Sequence, residues 1–205
     1  MIFRILGGFI LSSYVMSEMT KRLLADSIKK ILSKKAFKKI TVKEIVSECN
    51  LTRQTFYYHF QDIYDLLDWM FSDIIKGLLE DSSNNSRKQN YRNILIYILN
   101  NSNFFISILN NVGYEYFRNA IYPPIYEFNK SYILKISLDS QKRVAEKKID
   151  FLANLQTLSL ISFLMNWINI SMKQDLNQID NITEMLGVSL DLPILSILNG
   201  YEAMN

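Results

Sequence analysis

The chain has 205 residues, of which 49% are hydrophobic and 21% charged, a balance that fits one or two compact domains and excludes a disordered tail. The single cysteine, Cys49, excludes an intramolecular disulfide framework or a four-cysteine zinc site and favours a cytoplasmic location. The net charge is +3, and residues 19–65 hold ten Lys or Arg against five Asp or Glu. This basic surplus predicts a polyanionic partner for the first quarter of the chain.

The spacing of Leu and Ile and the scarcity of Pro and Gly, with three and six residues, predict an all-α fold. Residues 1–18 are an uncertain N-terminal extension. Residues 1–16 are nearly all apolar but too short to span a bilayer comfortably, which takes about 20 residues. We favour an over-extended start, with Met16 or Met19 as the first residue, over a membrane anchor.

Two helices are predicted between the extension and residue 50. The first is predicted over about residues 20–35, where apolar residues recur at the i, i+4, i+7 and i+8 positions of an amphipathic helix. The second begins with a capping box, Thr41-Val-Lys-Glu44, in which both side chains satisfy backbone N–H groups. We expect it to end at Cys49.

A third helix is predicted over residues 52–61, after a sharp turn. Asn50 suits that turn because Asn tolerates the left-handed conformation, and Thr52 can then cap the helix. Phe56 and Phe60, four residues apart, are expected to face the core. The opposite face carries polar and aromatic side chains, namely Gln54, Tyr57, Tyr58 and Gln61.

The fourth helix, capped by Asp62, carries an apolar stripe as far as Leu78, and the polar residues 81–90 are predicted to form the loop between two domains. The dipeptide Pro123-Pro124 is expected to break the helical pattern, and Gly187 to end a helix. The further predicted helices cover residues 91–109, 112–122, 124–138, 141–172, 178–186 and 193–199.

Residues 151–172 contain no charged side chain, which raises the question of a membrane span. Four Asn or Gln residues interrupt this stretch, namely Asn154, Gln156, Asn166 and Asn169. Because a lipid-facing helix avoids such residues, we favour a helix buried in a subunit interface.

The first domain resembles one known family. Its motifs are Ile40-Thr41-Val42-Lys43-Glu44-Ile45, then Asn50-Leu51-Thr52-Arg53-Gln54-Thr55-Phe56-Tyr57-Tyr58-His59-Phe60, and then the acidic and apolar start of the fourth helix. This combination resembles the TetR family of transcriptional regulators. The block from Arg53 to Trp69 is more narrowly similar to the family's dihydroxyacetone kinase regulators. The implied fold is an N-terminal three-helix helix-turn-helix domain (residues 19–71), followed by a larger helical effector-binding and dimerisation domain (residues 72–205).

The resemblance implies a set of DNA-binding residues. Thr41, Thr52 and His59 match positions that contact phosphate groups. Arg53 and Gln54 match positions that approach base edges, where Arg suits guanine and Gln suits adenine.

Three more residues complete that set, and two positions depart from the family pattern. Thr55 matches a phosphate or base-edge contact, whereas Tyr57 and Tyr58 pack against sugar, phosphate and thymine methyl groups. Asn50 stands where the family usually has Gly, which is a mild change. Ile63 stands where a phosphate-binding Lys is common, so non-specific affinity is expected to be lower than average.

The partners implied are double-stranded DNA with a palindromic operator, a second copy of the chain, and a small-molecule or protein effector. Repression is the expected outcome, and no cofactor, metal or membrane is expected. An effector pocket would be built from aromatic residues that could equally be core, namely Tyr97, Phe104, Phe105, Tyr114, Tyr116, Phe117, Tyr122, Tyr126, Phe128 and Trp167.

Three alternatives remain open at this stage. One is a TetR-like subunit that senses a ligand without binding DNA, for which Ile63 is the hint. Another is a membrane-attached helical protein that uses residues 1–16 and 151–172. An enzyme is the least favoured, because the sequence has no Gly-rich phosphate loop and no hydrolase motif.

Overall fold

The computed structural model describes residues 2–80, 86–141, 144–170 and 176–200. Within these ranges all regular secondary structure is helical, which confirms the predicted all-α class. The chain divides into two compact units, Met1–Phe71 and Ser72–Asn205.

The first unit contains three helices and the start of a fourth: α1 (Ile2–Leu32), α2 (Val42–Glu48), α3 (Arg53–His59) and α4 (Ile63–Glu80), with a single 3-10 turn at Phe37–Lys39. The predicted start of the first helix at residue 20 is wrong, because α1 already begins at Ile2 and no proline interrupts it. Side chains from all four helices meet in the core, where these are at most 1% exposed: Leu24, Ile28, Leu32, Ile45, Phe56, Leu66, Leu67 and Phe71.

Local contacts fix the starts of α3 and α4 as predicted, whereas α3 ends at His59 instead of at residue 61. Asn50 has a φ of 55°, which places it in the left-handed region at the α2–α3 turn. The Asp62 carboxylate accepts a hydrogen bond from the backbone N–H of Asp65 at 2.9 Å and so caps α4. In return, the Asp65 carboxylate accepts from the backbone N–H of Gln61, also at 2.9 Å.

The second unit contains the end of α4 and five further helices: α5 (Arg87–Asn100), α6 (Ser102–Asn111), α7 (Tyr114–Asp139), α8 (Glu146–Ile170) and α9 (Leu176–Gly200). The main pairings are α7 with α8 and α5 with α9, while α6 lies against α7 and α8. The predicted interdomain loop over residues 81–90 is too long at its C-terminal end, because α5 begins at Arg87 behind the cap formed by Ser86.

The predicted helix over residues 91–109 is divided in the structure. Asn101 leaves the helical conformation, with φ −120° and ψ 29°, and separates α5 from α6. Its side-chain amide donates a hydrogen bond to the carbonyl of Tyr97 at 2.7 Å. Asn competes for backbone groups in this way, and that local bond explains the break.

Conversely, two predicted breaks are wrong. Helix α7 continues through Pro123 and Pro124, and α9 continues through Gly187 and Pro193. Each proline removes one backbone donor, but burial of one face holds the helix together; Ile121 and Ile125, on either side of the proline pair, are 3% and 2% exposed.

One of the described helices is long and apolar enough to cross a membrane, judged by length and composition alone. It covers Glu146–Asn169 in α8, and half of its most apolar window is buried within the protein. A core helix of a soluble protein passes the same test, so this feature is weak support for a membrane span.

Candidate nucleic-acid interface

Helix α3 is anchored by two phenylalanines. Phe56 is 0% and Phe60 3% exposed, which confirms that both face the core. The Phe60 ring lies 5.9 Å from the Phe56 ring and 5.9 Å from the ring of Trp69 on α4. This aromatic contact fixes α3 against the start of α4.

The N-terminus of α3 is closed by a threonine cap. The Thr52 hydroxyl accepts a hydrogen bond from the backbone N–H of Thr55 at 3.1 Å, and the two hydroxyls lie 2.8 Å apart. The cap satisfies a donor that has no partner within the helix. It also places the Thr52 and Thr55 hydroxyls side by side at the N-terminus of α3.

Replacing Thr52 with Ala should lower the free energy of unfolding by about 1 kcal/mol, because the Thr55 N–H loses its capping acceptor. Urea denaturation followed by circular dichroism measures this change. Thr52→Ser keeps a capping hydroxyl and should remain close to the wild type. An unchanged midpoint for Thr52→Ala would show that the cap does not stabilise α3.

The outward side of α3 is open to solvent. Arg53 and Gln54 are exposed, and Tyr57 and Tyr58 retain 60% and 82% of their accessible surface. Thr55 is half-buried, and its hydroxyl lies 2.8 Å from that of Thr52. The structure therefore brings the predicted polar and aromatic residues of α3 together on one accessible face.

His59 differs from the other predicted contact residues. Its imidazole is half-buried and lies edge-on to the Tyr58 ring at 4.9 Å. Burial lowers the pKa of His59, and the nearby Lys21 cation lowers it further. In the free protein this shift favours the neutral imidazole, which still offers one N–H donor for a contact with phosphate.

Thr41 lies at the start of α2, in the predicted capping box. Its hydroxyl accepts from the backbone N–H of Glu44 at 3.3 Å, and the Glu44 carboxylate accepts from the Thr41 N–H at 3.0 Å. Thr41 is exposed, so its hydroxyl lies at the surface at the N-terminus of α2. The capping box is confirmed.

Two ion pairs, which sequence patterns did not predict, connect the C-terminal end of α1 and the turn after it to α2. Lys35 pairs with Glu44 at 2.5 Å and, by that hydrogen bond above all, lowers the pKa of Glu44. Lys30 pairs with Glu48. The partners are 9 and 18 residues apart in sequence, a separation at which no helical spacing could have indicated them.

The second unit contains a cavity of about 500 Å³ between α4 and α7. Its position was not predicted from the sequence. It is lined by Ser72, Lys76, Leu79, Pro123, Pro124, Glu127, Phe128 and Ser131. Of the predicted aromatic set, Phe128 lines this cavity, whereas Phe104, Phe105, Phe117 and Trp167 are buried in the core. The volume is within the range of small-molecule sites.

Residues 24–70 match the family described as bacterial regulatory proteins of the tetR family. Residues 85–187, half of the chain, match the family described as a transcriptional regulator C-terminal region. The first match contains all of the predicted DNA-binding residues.

Among curated proteins, the dhaKLM operon transcriptional activator DhaS of Lactococcus lactis subsp. lactis (strain IL1403) is 30% identical over 89 residues. The alignment covers 43% of this chain and 48% of the relative, so the chain spans about half the length of the curated protein it matches.

Among solved structures, the dihydroxyacetone kinase operon activator DhaS superposes with a TM-score of 0.65 at 20% identity, over 85% of this chain and 96% of the other. A transcriptional regulator from Pseudomonas aeruginosa PAO1 gives a TM-score of 0.56 at 12% identity, over 85% and 91%. These likenesses show the fold. The two family matches establish that the chain belongs to the TetR family of transcriptional regulators.

Proposed function

We propose that this regulator binds a palindromic operator as a homodimer, with α3 in the major groove. The observation that supports this most directly is the accessible polar and aromatic face of α3, held by the buried Phe56 and Phe60. A helix-turn-helix protein reads bases with the first residues and the outward face of its second helix. Here those positions are Arg53, Gln54 and Tyr57.

The remaining predicted residues position the reading helix. The exposed hydroxyls of Thr41 and Thr52 lie at the N-termini of α2 and α3, where they can donate hydrogen bonds to phosphate oxygens. Thr55 and Tyr58 complete the contacts with the DNA backbone, and His59 adds an N–H donor at the end of α3. Residues 19–71 form the DNA-binding domain in this proposal, preceded by the extension over residues 1–18.

A second copy of the chain is proposed to cover apolar stripes on α8 and α9. On α8, Phe151, Leu155 and Leu158 are 65%, 46% and 42% exposed. The spacing i, i+4, i+7 places them on one face of the helix. Contiguous exposed apolar side chains of this kind mark interaction surfaces, and a second copy would bury them.

Helix α9 contributes the second stripe. Met185, Val188, Leu192 and Leu195 follow the spacing i, i+3, i+7, i+10 and are 61%, 52%, 55% and 48% exposed. Helices α8 and α9 pack against each other, so a dimer joined through both would bury two stripes per subunit. Two-fold pairing of this kind is what binding to paired half-sites in successive major-groove turns requires.

The effector is proposed to occupy the cavity between α4 and α7. Helix α4 begins at Ile63, directly after the reading helix, and reaches the cavity with Ser72, Lys76 and Leu79. A ligand there would contact the helix that also contributes Leu66 and other side chains to the core of the DNA-binding unit. Residues 72–205 form the effector and dimerisation domain in this proposal, within a cytoplasmic protein that is not an enzyme.

Activation is a second candidate for the direction of control. The family resemblance predicts repression, but the sequence match and the structural match are each named as the operon activator DhaS. The same DNA contacts serve either outcome, since the position of the operator relative to the promoter decides it. A reporter gene behind the protein's own upstream region would rise with the protein if it activates and fall if it represses.

Replacing Gln54 with Ala should remove about 1–3 kcal/mol of preference for the operator over random duplex, because a bidentate base contact is lost. The measurement is a titration of labelled fragments from the upstream region of the protein's own gene, at several salt concentrations. Wild-type affinity should fall steeply as salt rises. The matched control is Gln178→Ala, because Gln178 is an exposed Gln in the second unit. It should change neither the preference for the operator nor the dependence of affinity on salt.

Wild-type protein that binds no fragment better than random duplex would contradict the proposal. The alternative of a ligand-sensing subunit without DNA binding would then account for the fold better. Loss of affinity without loss of preference in Gln54→Ala would assign Gln54 to the phosphate backbone instead of the bases.

A further inference from the structure

A buried arginine joins four helices of the second unit. Arg87, the first residue of α5, has a side chain that is 1% exposed. One terminal nitrogen donates to the Asn129 side-chain oxygen on α7 at 2.9 Å and to that of Gln156 on α8 at 2.5 Å. The other donates to Asp191 on α9 at 2.7 Å, and the guanidinium lies 4.5 Å from the centre of the Tyr132 ring.

The arginine reaches α9 where that helix is weakest. Gly187 and Pro193 both lie inside α9; glycine favours the helix least among residues with an N–H, and proline removes a backbone donor. Between them, the carbonyl of Leu190 accepts a hydrogen bond from the Gln156 side chain at 2.5 Å and one from Arg87 at 3.5 Å. Donors from outside the helix therefore hold α9 at Leu190, next to the Ser189 carbonyl whose helical donor Pro193 removes.

The same segment carries most of the outward apolar stripe of α9. Val188, Leu192 and Leu195 are about half exposed, whereas Ile194 is 2% exposed and faces the core. A small rotation of this part of α9 would move all three outward side chains together. The direction in which the stripe points is therefore set by whatever fixes residues 187–195.

We propose that Arg87 is a positioning residue that orients residues 187–195 of α9 and thereby forms the dimer surface. The inference rests on the homodimer proposed above. The arginine makes no contact with the partner in this account, and it acts through Asp191 and the Leu190 carbonyl.

The cost of the arrangement supports a positioning role. Three buried polar atoms beside it have no hydrogen-bond partner among the described residues: Arg87 Nε, Asn90 Oδ1 and the Tyr91 hydroxyl oxygen. Unsatisfied buried groups destabilise a fold, and an apolar core of similar volume is often at least as stable as a buried ion pair. In some proteins such networks are retained because they specify one arrangement of helices, which is the role proposed for Arg87.

The test is the double variant Arg87→Met with Asp191→Asn, which removes both charges and leaves no unpaired buried ion. The dimer dissociation constant, measured by sedimentation over a dilution series, should rise about tenfold or more. Helical content by circular dichroism should stay at the wild-type value. Arg92→Met is the matched control: Arg92 also joins α5 to α9, through Asp180 at 2.6 Å, but this pair is exposed. Its dissociation constant should change less than about threefold.

Arg87→Lys provides a second variant that keeps the charge for Asp191. A lysine ammonium lacks the planar fork that reaches Asn129, Gln156 and Asp191 together. This variant should therefore keep the wild-type fold, and its dimer should be weaker than that of the wild type. If either folded variant dimerises as tightly as the wild type, or the Arg92→Met control weakens the dimer equally, the inference is overturned. Loss of helical content in both variants would also overturn it, since Arg87 would then be needed for folding itself. Wild-type protein that stays monomeric at all concentrations would instead refute the homodimer.

Discussion

Replacing Leu192 with Glu should convert the protein into a monomer and lower its affinity for a duplex with two half-sites about a hundredfold or more. Leu192 is 55% exposed in the middle of the outward stripe of α9. In a dimer it would be covered by apolar side chains, and a carboxylate there would be desolvated without a partner. A monomer also loses the second half-site contact, which in a dimer is intramolecular.

Two measurements separate these effects. Sedimentation gives the oligomeric state, and titration of duplexes with one or two half-sites gives the contribution of pairing. On a single half-site, Leu192→Glu and wild type should bind with similar affinity, because α3 is untouched. Leu138→Glu is the matched control, since Leu138 is 76% exposed on α7 and lies outside both stripes. A Leu192→Glu protein that remains dimeric would refute the proposed surface.

Replacing Phe56 with Ala should destabilise the first unit by about 3–5 kcal/mol and weaken operator binding at 37 °C. Phe56 is 0% exposed and contacts the rings of Tyr57 at 5.4 Å and Phe60 at 5.9 Å. The loss combines the transfer energy of the ring with the cavity it leaves. Small domains are stable by only about 5–15 kcal/mol, so a unit near the low end of this range would be substantially unfolded near physiological temperature after such a change.

Trp69 offers a local probe for this prediction. Its ring lies 5.9 Å from that of Phe60, and Trp167 is the other tryptophan of the chain. In a Trp167→Phe background, urea denaturation followed by fluorescence therefore reports on the first unit. Phe56→Leu conserves most of the volume and should cost about 1.5 kcal/mol or less. A midpoint for Phe56→Ala equal to that of the wild type would show that α3 is held by other contacts.

The helix boundaries of the DNA-binding unit were predictable because local chemistry determines them. The caps at Thr41 and Thr52 and the left-handed turn at Asn50 each depend on residues no more than three positions away. The start of α1 was not predictable in this way, since Gly7 and Gly8 in the apolar extension favour a turn, yet α1 continues through both. Local hydrogen bonds can be recognised from sequence when each partner is a near neighbour.

The second unit was harder to predict because burial overrides local signals there. Pro123, Pro124 and Pro193 normally end or kink a helix, yet all three lie inside helices whose inner faces are buried. The break at Asn101, in contrast, arises from one side-chain hydrogen bond that an Asn at an ordinary helical position need not make.

The contacts that hold the second unit together are the least visible in the sequence. Arg87 bonds to residues that are 42, 69 and 104 positions away, and no spacing rule relates them. A basic residue just after a polar segment predicts an exposed position by composition alone. Its burial becomes evident only when four helices are assembled around it.

In and just before α3, the residues that hold the helix in place differ from those that face solvent, and this separation has an evolutionary consequence. Thr52 and Phe56 hold the helix in place, whereas Arg53 and Gln54 project into solvent. Replacing either projecting residue changes the hydrogen-bonding groups that face a base pair. It should hardly change the free energy of unfolding, because exposed substitutions rarely alter stability by more than about 0.5 kcal/mol. Under the proposed mode of binding, descendants of this gene can therefore acquire new operators by point mutation while the scaffold stays unchanged.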